Sequence, residues 1–421
     1  MRVLFTVSNW ATHWSAMVPH GWALQAAGHE VRVMCAGSQS APAAHAGLTP
    51  VPVLEAVDMP VRVRVHNYLK ARAGEWPFTQ LPPHPETGRP LASLDDFDLD
   101  AYIRDNTDLA AGIALRSADA AVTFARAWRP DLVVHDQMSL EGPLVGRVLE
   151  VPAVLALWGP LGPDDRPRGV AADGGPGATF LPTDRMGVFR RHGAGVDLTP
   201  EIFEHVVDPS PASVAPPLRA RRLPARYVPY NGSGSAPGWL HDRPLRSGRP
   251  RVCVVWGTSV RTMYGDGPFP VPAALAALAG AGAEVTVALA AADRARLGEL
   301  PDHTRLVENV PLHLLLAGAD LVVHHGGGGC TMTALAAGVP QLTLPLGLDQ
   351  EVIADRLAAA GAARTLHCSA ADATSIADSA KALLTDPAYR SAARELAREM
   401  AGNPSPAALV ASLEELALAG S

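Results

Sequence analysis

Residues 320–350 read DLVVHHGGGGCTMTALAAGVPQLTLPLGLDQ, and no other stretch constrains the fold as tightly. Leu321, Val322 and Val323 form an apolar run too short for a helix, so they predict a buried strand. His324, His325 and the glycines Gly326 to Gly329 follow. Glycines in a row let the backbone turn sharply and let a ligand approach it closely. Residues 331–337 predict a short helix, stopped by Gly338 and Pro340. Residues 341–344 predict a second strand, closed by Pro345 and Gly347, with Asp349 and Gln350 just beyond its carboxyl end.

A strand, a glycine turn and a helix start together make an anion site. Free amide hydrogens and the positive end of the helix point at the turn. That dipole contributes about 0.3–1 kcal/mol when exposed and about 2 kcal/mol when partly buried. His325 adds a side-chain donor, while Asp349 and Gln350 offer partners to hydroxyl groups. Phosphate at one end and hydroxyls at the other point to a sugar nucleotide.

The chain has 421 residues, which predicts two domains. Its 48% hydrophobic and 18% charged composition is that of a soluble globular protein. A net charge of −7 argues against a nucleic-acid partner. Cys35, Cys253, Cys330 and Cys368 fit neither a zinc spacing nor a disulfide framework, so a reducing cytoplasm is expected. Neither a signal peptide nor a run of about 18 apolar residues is visible, so no membrane anchor is expected.

At the amino terminus, residues 3–7 predict a strand, 15–27 a helix ended by Gly28, and 31–34 a second strand. That βαβ order predicts a parallel sheet. The first turn is Asn9-Trp10-Ala11-Thr12-His13 rather than G-x-G-x-x-G, which argues against a dinucleotide oxidoreductase. Residues 36–98 show few clear elements and predict long loops. Asp98-Leu99-Asp100 spells D-x-D, but acids capping a helix from Ala101 are favoured over metal ligands. Residues 101–126 predict a long helix, 131–135 a strand running into Asp136, and 153–157 another strand; 159–195 and 209–222 read as irregular. The Ser/Gly/Pro-rich stretch 231–249 reads as a linker. A second sheet then starts with residues 252–256 and includes 284–289. Helices are predicted over 355–360, 371–384, 387–400 and 407–419, the third with Asp386 as cap and Pro387 at its first position. Each half reads as a small doubly wound α/β sheet. The expected division is an acceptor-binding domain 1–230, the linker 231–249, a nucleotide-sugar-binding domain 250–402, and a final helix 403–421.

His13 and Asp136 both lie just past strands of the first sheet, where open α/β sheets place their ligands. An imidazole there suits removal of a hydroxyl proton near neutral pH, and a carboxylate could orient it. His135 and His324 alternate with the functional candidates and should face the other way. Neither histidine pair has a third ligand at good spacing, so no metal site is expected. Trp10 and Trp14 are candidates for an acceptor wall, whereas Met17 and Trp22 read as core.

The first βαβ unit, the Pro229-Tyr230-Asn231-Gly232 segment and the glycine stretch together resemble the actinomycete antibiotic glycosyltransferases. The resemblance spans nearly the whole chain and is strongest from Glu308 to Gln350. It implies a GT-B fold, two Rossmann-like doubly wound domains facing across a cleft, and inverting, metal-independent transfer of a deoxysugar to a polyketide-type aglycone. It implies a dyad of His13 and Asp136, with Thr258, Ser259, His325, Gly328 and Gly329 on the diphosphate. Val310 would hold the base through its backbone, and Asp349 and Gln350 would touch the sugar. Cys330 replaces a frequent Ser or Thr and is kept as a lining residue, with Thr331 as a compensating hydroxyl. Thr333 stands where UDP-sugar enzymes of this fold often carry a ribose-binding glutamate, which favours a dTDP-sugar as co-substrate. No cofactor or metal is implied. A homodimer and a helper protein resembling an inactive haem monooxygenase remain open as partners. The rival readings are a sugar-nucleotide epimerase of the same fold and a non-catalytic helper subunit.

Overall fold

The computed structural model describes residues 1–55, 58–168, 179–240 and 248–419. Parts of the expected 159–195 loop and 231–249 linker therefore lie outside the described residues. The chain divides into two compact units. One comprises Met1–Val57, Ile103–Ser233 and Arg398–Ser421; the other comprises Asp58–Tyr102 and Gly234–Ala397.

The first unit is built on seven parallel strands: β1 (Arg2–Thr6), β2 (Glu30–Ala36), β3 (Thr49–Leu54), β4 (Leu132–Asp136), β5 (Ala153–Ala156), β6 (His205–Asp208) and β7 (Arg221–Pro224). Their order is β3-β2-β1-β4-β5-β6-β7. Side chains alternate across the sheet, as strand geometry requires. Val3, Phe5, Val33, Leu132 and Val134 share a core with Met17, Val18 and Leu24 from the amino-terminal helical segment and with Leu409, Val410 and Leu413 of the Pro406–Ala419 helix. Leu4, Met34 and Val133 pack on the other side with Ala121, Ala125 and Trp128 of the Leu99–Trp128 helix and with Val145. A parallel sheet covered on both faces explains why its strands read as nearly continuous apolar runs.

The second unit has six parallel strands: β8 (Arg251–Trp256), β9 (Glu284–Leu289), β10 (Thr304–Val307), β11 (Leu321–His324), β12 (Gln341–Thr343) and β13 (Ala363–Thr365). They run in the order β10-β9-β8-β11-β12-β13. One face packs Val252, Val254, Val285, Val287 and Val323 against Leu275, Leu278, Ile376 and Leu383. The other packs Cys253, Val255 and Val322 against Leu315, Leu316 and Ala334. In each sheet the chain winds outward through three strands and then returns to the far side of the first. This creates a switch point between β1 and β4, and another between β8 and β11.

Residues 36–98 are more ordered than their sequence suggests. Thr49–Leu54 reads TPVPVL, and two prolines argue against a central strand; here it is an edge strand, where proline is tolerated. Met59–Arg72 reads MPVRVRVHNYLKAR, whose alternating valines mask a helix. Asp58 caps it by accepting the Val61 N–H at 3.2 Å, Pro60 is tolerated in its first turn, and its buried positions are Arg64, Asn67 and Tyr68, not an apolar stripe. This helix belongs to the second unit, whereas residues 1–230 were expected to form one domain. Asn67 Nδ2 donates to the Met263 carbonyl at 3.1 Å, and Trp76 stacks on Tyr264 with centroids 6.0 Å apart.

The Pro406–Ala419 helix belongs to the first unit, where its entry is fixed by Arg226 N–H on the Pro404 carbonyl (2.7 Å) and Asn403 Nδ2 on the Ser210 carbonyl (3.3 Å). Asp98 Oδ1 accepts the Ala101 N–H at 2.8 Å, so this D-x-D acid serves as a helix cap. Among the described residues no helix is long and apolar enough to cross a membrane.

Candidate active site

The first unit places His13 at its switch point. His13 sits on the short Ala11–Trp14 helix that follows β1, half-buried, its ring stacked on Trp158 with centroids 4.3 Å apart. Its Nδ1 is 3.3 Å from Ser8 Oγ. Asp136 ends β4 and is fully buried. One carboxylate oxygen accepts the Ser8 N–H at 2.6 Å and the other the Met138 N–H at 2.8 Å. The expected dyad is therefore a three-membered arrangement, with Ser8 between the carboxylate and the imidazole. Burial pushes Asp136 up to about 6, against the opposing pull of hydrogen bonds from Ser8, Met138 and Ser139. Desolvation lowers His13 to about 4, so the ring is neutral and able to accept a proton. Glu141 is raised by burial first and by the Asp136 charge as well.

The second unit places its cluster after β8 and β11. His325 is buried between two glycines: a Cβ on Gly327 would meet His325 Nε2 at 2.7 Å, and one on Gly257 would meet Cε1 at 3.2 Å. The ring sits edge-on to Trp256, and its Nδ1 is buried without a hydrogen-bond partner. Burial lowers His325 to about 3, with His324 adding to the effect, so His325 offers a neutral N–H donor and not a positive charge. His324 faces away, as expected: its Nδ1 accepts the Gly326 N–H at 3.0 Å and its Nε2 donates to Gln341 Oε1 at 2.9 Å. The helix expected at residue 331 starts earlier and spans Gly328–Ala337, with Gly327 as N-cap and no side-chain cap. That brings the Gly328, Gly329 and Cys330 amides into its first turn, where they have no intrahelical partner.

A second helix, Thr258–Tyr264, opens directly after β8 and was not expected. Ser259 is half-buried in its first turn, while the Thr258 side chain lies outside the described residues. Asp349 and Gln350 open the Asp349–Ala359 helix, which starts earlier than the expected residue 355. Burial pushes Asp349 up to about 6. Gln350 Oε1 accepts the Leu346 N–H at 3.1 Å. Leu348, which precedes Asp349, has φ 57°, an outlier for a bulky residue of the kind that clusters at ligand sites. Val310 is half-buried against the apolar cluster behind β11, after Asn309 at φ 52°.

Several expected roles are corrected by burial. Trp14 is 2% exposed, packs in the sheet core and donates from Nε1 to Gln39 Oε1 at 3.1 Å, so it is no acceptor wall; Trp10 and Trp158 flank His13 instead. Trp22, expected in the core, is 41% exposed. Cys330 packs onto the cluster around Cys253, and burial pushes its thiol up to about 12, so it remains a neutral apolar residue. Thr331 is wholly buried, its hydroxyl without a hydrogen-bond partner. Thr333 is buried too and donates from Oγ1 to the Gly329 carbonyl at 2.7 Å. Among the described residues no group of three or more His, Cys, Asp or Glu is arranged to hold a metal.

Two parallel-sheet Rossmann-like units, each with a polar cluster at its switch point, define a GT-B glycosyltransferase. The chain belongs to the EryCIII-like family: the model of the erythromycin biosynthesis protein CIII-like N-terminal domain matches residues 114–257, and that of the C-terminal domain matches residues 273–416. It is 33% identical to the 10-deoxymethynolide desosaminyltransferase of Streptomyces venezuelae, over 99% of this chain and 97% of that one. Among solved structures it is similar to the spinosyn rhamnosyltransferase SpnG complexed with thymidine diphosphate, at 32% identity and a TM-score of 0.74, over 98% of this chain and 100% of that one. The same figures hold for SpnG complexed with the spinosyn aglycone.

Proposed function

We propose that this enzyme transfers a deoxysugar from a dTDP-sugar to a hydroxyl group of a polyketide-type aglycone. The observation that carries the reading is the Asp136–Ser8–His13 arrangement at the first switch point. The neutral His13 ring takes the acceptor's proton, and the hydroxyl oxygen attacks the anomeric carbon. The bond to the diphosphate breaks, and direct displacement inverts that centre. Ionised Asp136, acting through Ser8, stabilises the imidazolium that forms. A positioned base of this kind contributes about 10²–10⁴ in rate.

The departing diphosphate is received by the uncapped amides of Gly328, Gly329 and Cys330, by His325, and by the first turn of the Thr258–Tyr264 helix with Ser259. Hydrogen bonds to charged groups contribute about 1.5–3 kcal/mol each. Val310 holds the base through its backbone, and Asp349 and Gln350 hold the sugar. These donors stabilise the leaving group without a metal ion. The thymidine diphosphate bound by SpnG supports the nucleotide assignment, and transferase relatives favour this reading over an epimerase or a helper subunit.

Incubation with dTDP-deoxysugars and polyketide aglycones tests the reading by mass spectrometry. The expected product is the aglycone plus one deoxysugar, formed equally well with EDTA present. Release of free sugar without aglycone modification would overturn it.

A further inference from the structure

A cavity of about 210 Å³ lies in the second unit, floored by the Leu346–Gly347–Leu348 turn that leads directly into Asp349. It is smaller than the ~300–1,000 Å³ of pockets that enclose a drug-sized ligand, so it suits one substituent of a sugar and not a whole nucleotide sugar. Its walls come from the Met59–Arg72 helix (Asn67, Lys70), the segment after it (Glu75, Trp76), Tyr264, and Glu351 of the Asp349–Ala359 helix.

The chemistry of that lining is specific. The Trp76 and Tyr264 rings are stacked at 17°, and aromatic rings attract a cation. Two carboxylates, Glu75 and Glu351, line the cavity against one ammonium, Lys70. The Glu351 side chain is 18% exposed, so its charge is poorly screened by water. His367 Nε2 lies 3.9 Å from Glu351 Oε1, while His367 Nδ1 accepts the Ser369 N–H at 3.2 Å. An imidazole accepting at Nδ1 carries its proton on Nε2 and is neutral. Burial raises the Tyr264 hydroxyl first, and the Asp349 and Glu351 charges add to that rise.

We propose that this cavity receives the protonated amino group of the donor sugar, so that the substrate is a dTDP-aminodeoxysugar. This rests on the donor assignment made above. Family membership does not decide the point, because the similar proteins include both a desosaminyltransferase and a rhamnosyltransferase, the one moving an amino sugar and the other a neutral one.

Calorimetry at neutral pH with a dTDP-aminodideoxyhexose, and with the matching dTDP-deoxyhexose in which a hydroxyl replaces the amine, tests the proposal. The wild-type enzyme should bind the amino donor about tenfold tighter or more. Glu351→Gln should bring the ratio close to one, and Trp76→Leu should lower it, with dTDP affinity unchanged in both. Equal affinities in the wild type, or a ratio that persists in both variants, would overturn the proposal. If Glu351→Gln loses dTDP binding because it fails to fold, Trp76→Leu and Glu75→Gln decide. Failure of dTDP to bind the wild-type enzyme would instead bring down the donor assignment itself.

Discussion

The Ser8 hydroxyl lies 3.3 Å from His13 Nδ1, and its backbone N–H lies 2.6 Å from Asp136. A hydroxyl both donates and accepts, so it can pass the orienting effect of the carboxylate to the ring. Ser8→Ala should lower kcat about 10–100-fold with donor KM unchanged, and Ser8→Thr should recover part of the loss. Asp136 must be ionised to act, so activity should fall as pH drops through about 6, and Asp136→Asn should remove that limb along with most of the activity. The sign for stability is opposite. The folded carboxyl keeps its proton up to about pH 6, whereas the unfolded one loses it near 3.8. Its contribution is full below the lower value and is lost as pH rises to the upper one, about 3 kcal/mol in all. Denaturant titrations of wild type and Asp136→Asn across this window should show that difference. The placement of His13 and Asp136 at the first switch point could be read from sequence because they follow strand ends. Ser8 could not, because it looked like any loop serine, and its position between the two appears only when β4 brings Asp136 alongside.

The Gly328–Ala337 helix, the proposed anion site, depends on what precedes it. Gly327 has φ −62°, an ordinary value for any residue, so glycine is needed there for space and not for conformation. Gly327→Ala should leave the fold intact, displace the His325 ring and weaken dTDP binding about tenfold, as calorimetry would read. Leu413→Ala on the Pro406–Ala419 helix should cost about 2–4 kcal/mol in denaturant unfolding, because Leu413 is 1% exposed in the core of the first unit. The long apolar strands and the Leu99–Trp128 helix were legible because pattern and propensity agree. The edge strand β3 and the Met59–Arg72 helix were not. Prolines disguised the first, and a polar buried face disguised the second.

At the scale of the whole molecule, the sequence revealed two doubly wound sheets because each βαβ succession carries its own signal. The grouping of Asp58–Tyr102 with the second unit was hidden, since it depends on Asn67 and Trp76 meeting Met263 and Tyr264 nearly two hundred residues away. The same grouping creates the small cavity beside Asp349. In the proposed mechanism the first unit supplies the base and the second the donor site, so each can be disabled separately. The most direct test is the single-turnover rate of deoxysugar transfer by His13→Ala, measured beside its dTDP affinity. The expected result is a rate lower by about 10²-fold or more with dTDP binding intact. Transfer at the wild-type rate in that variant would contradict the account.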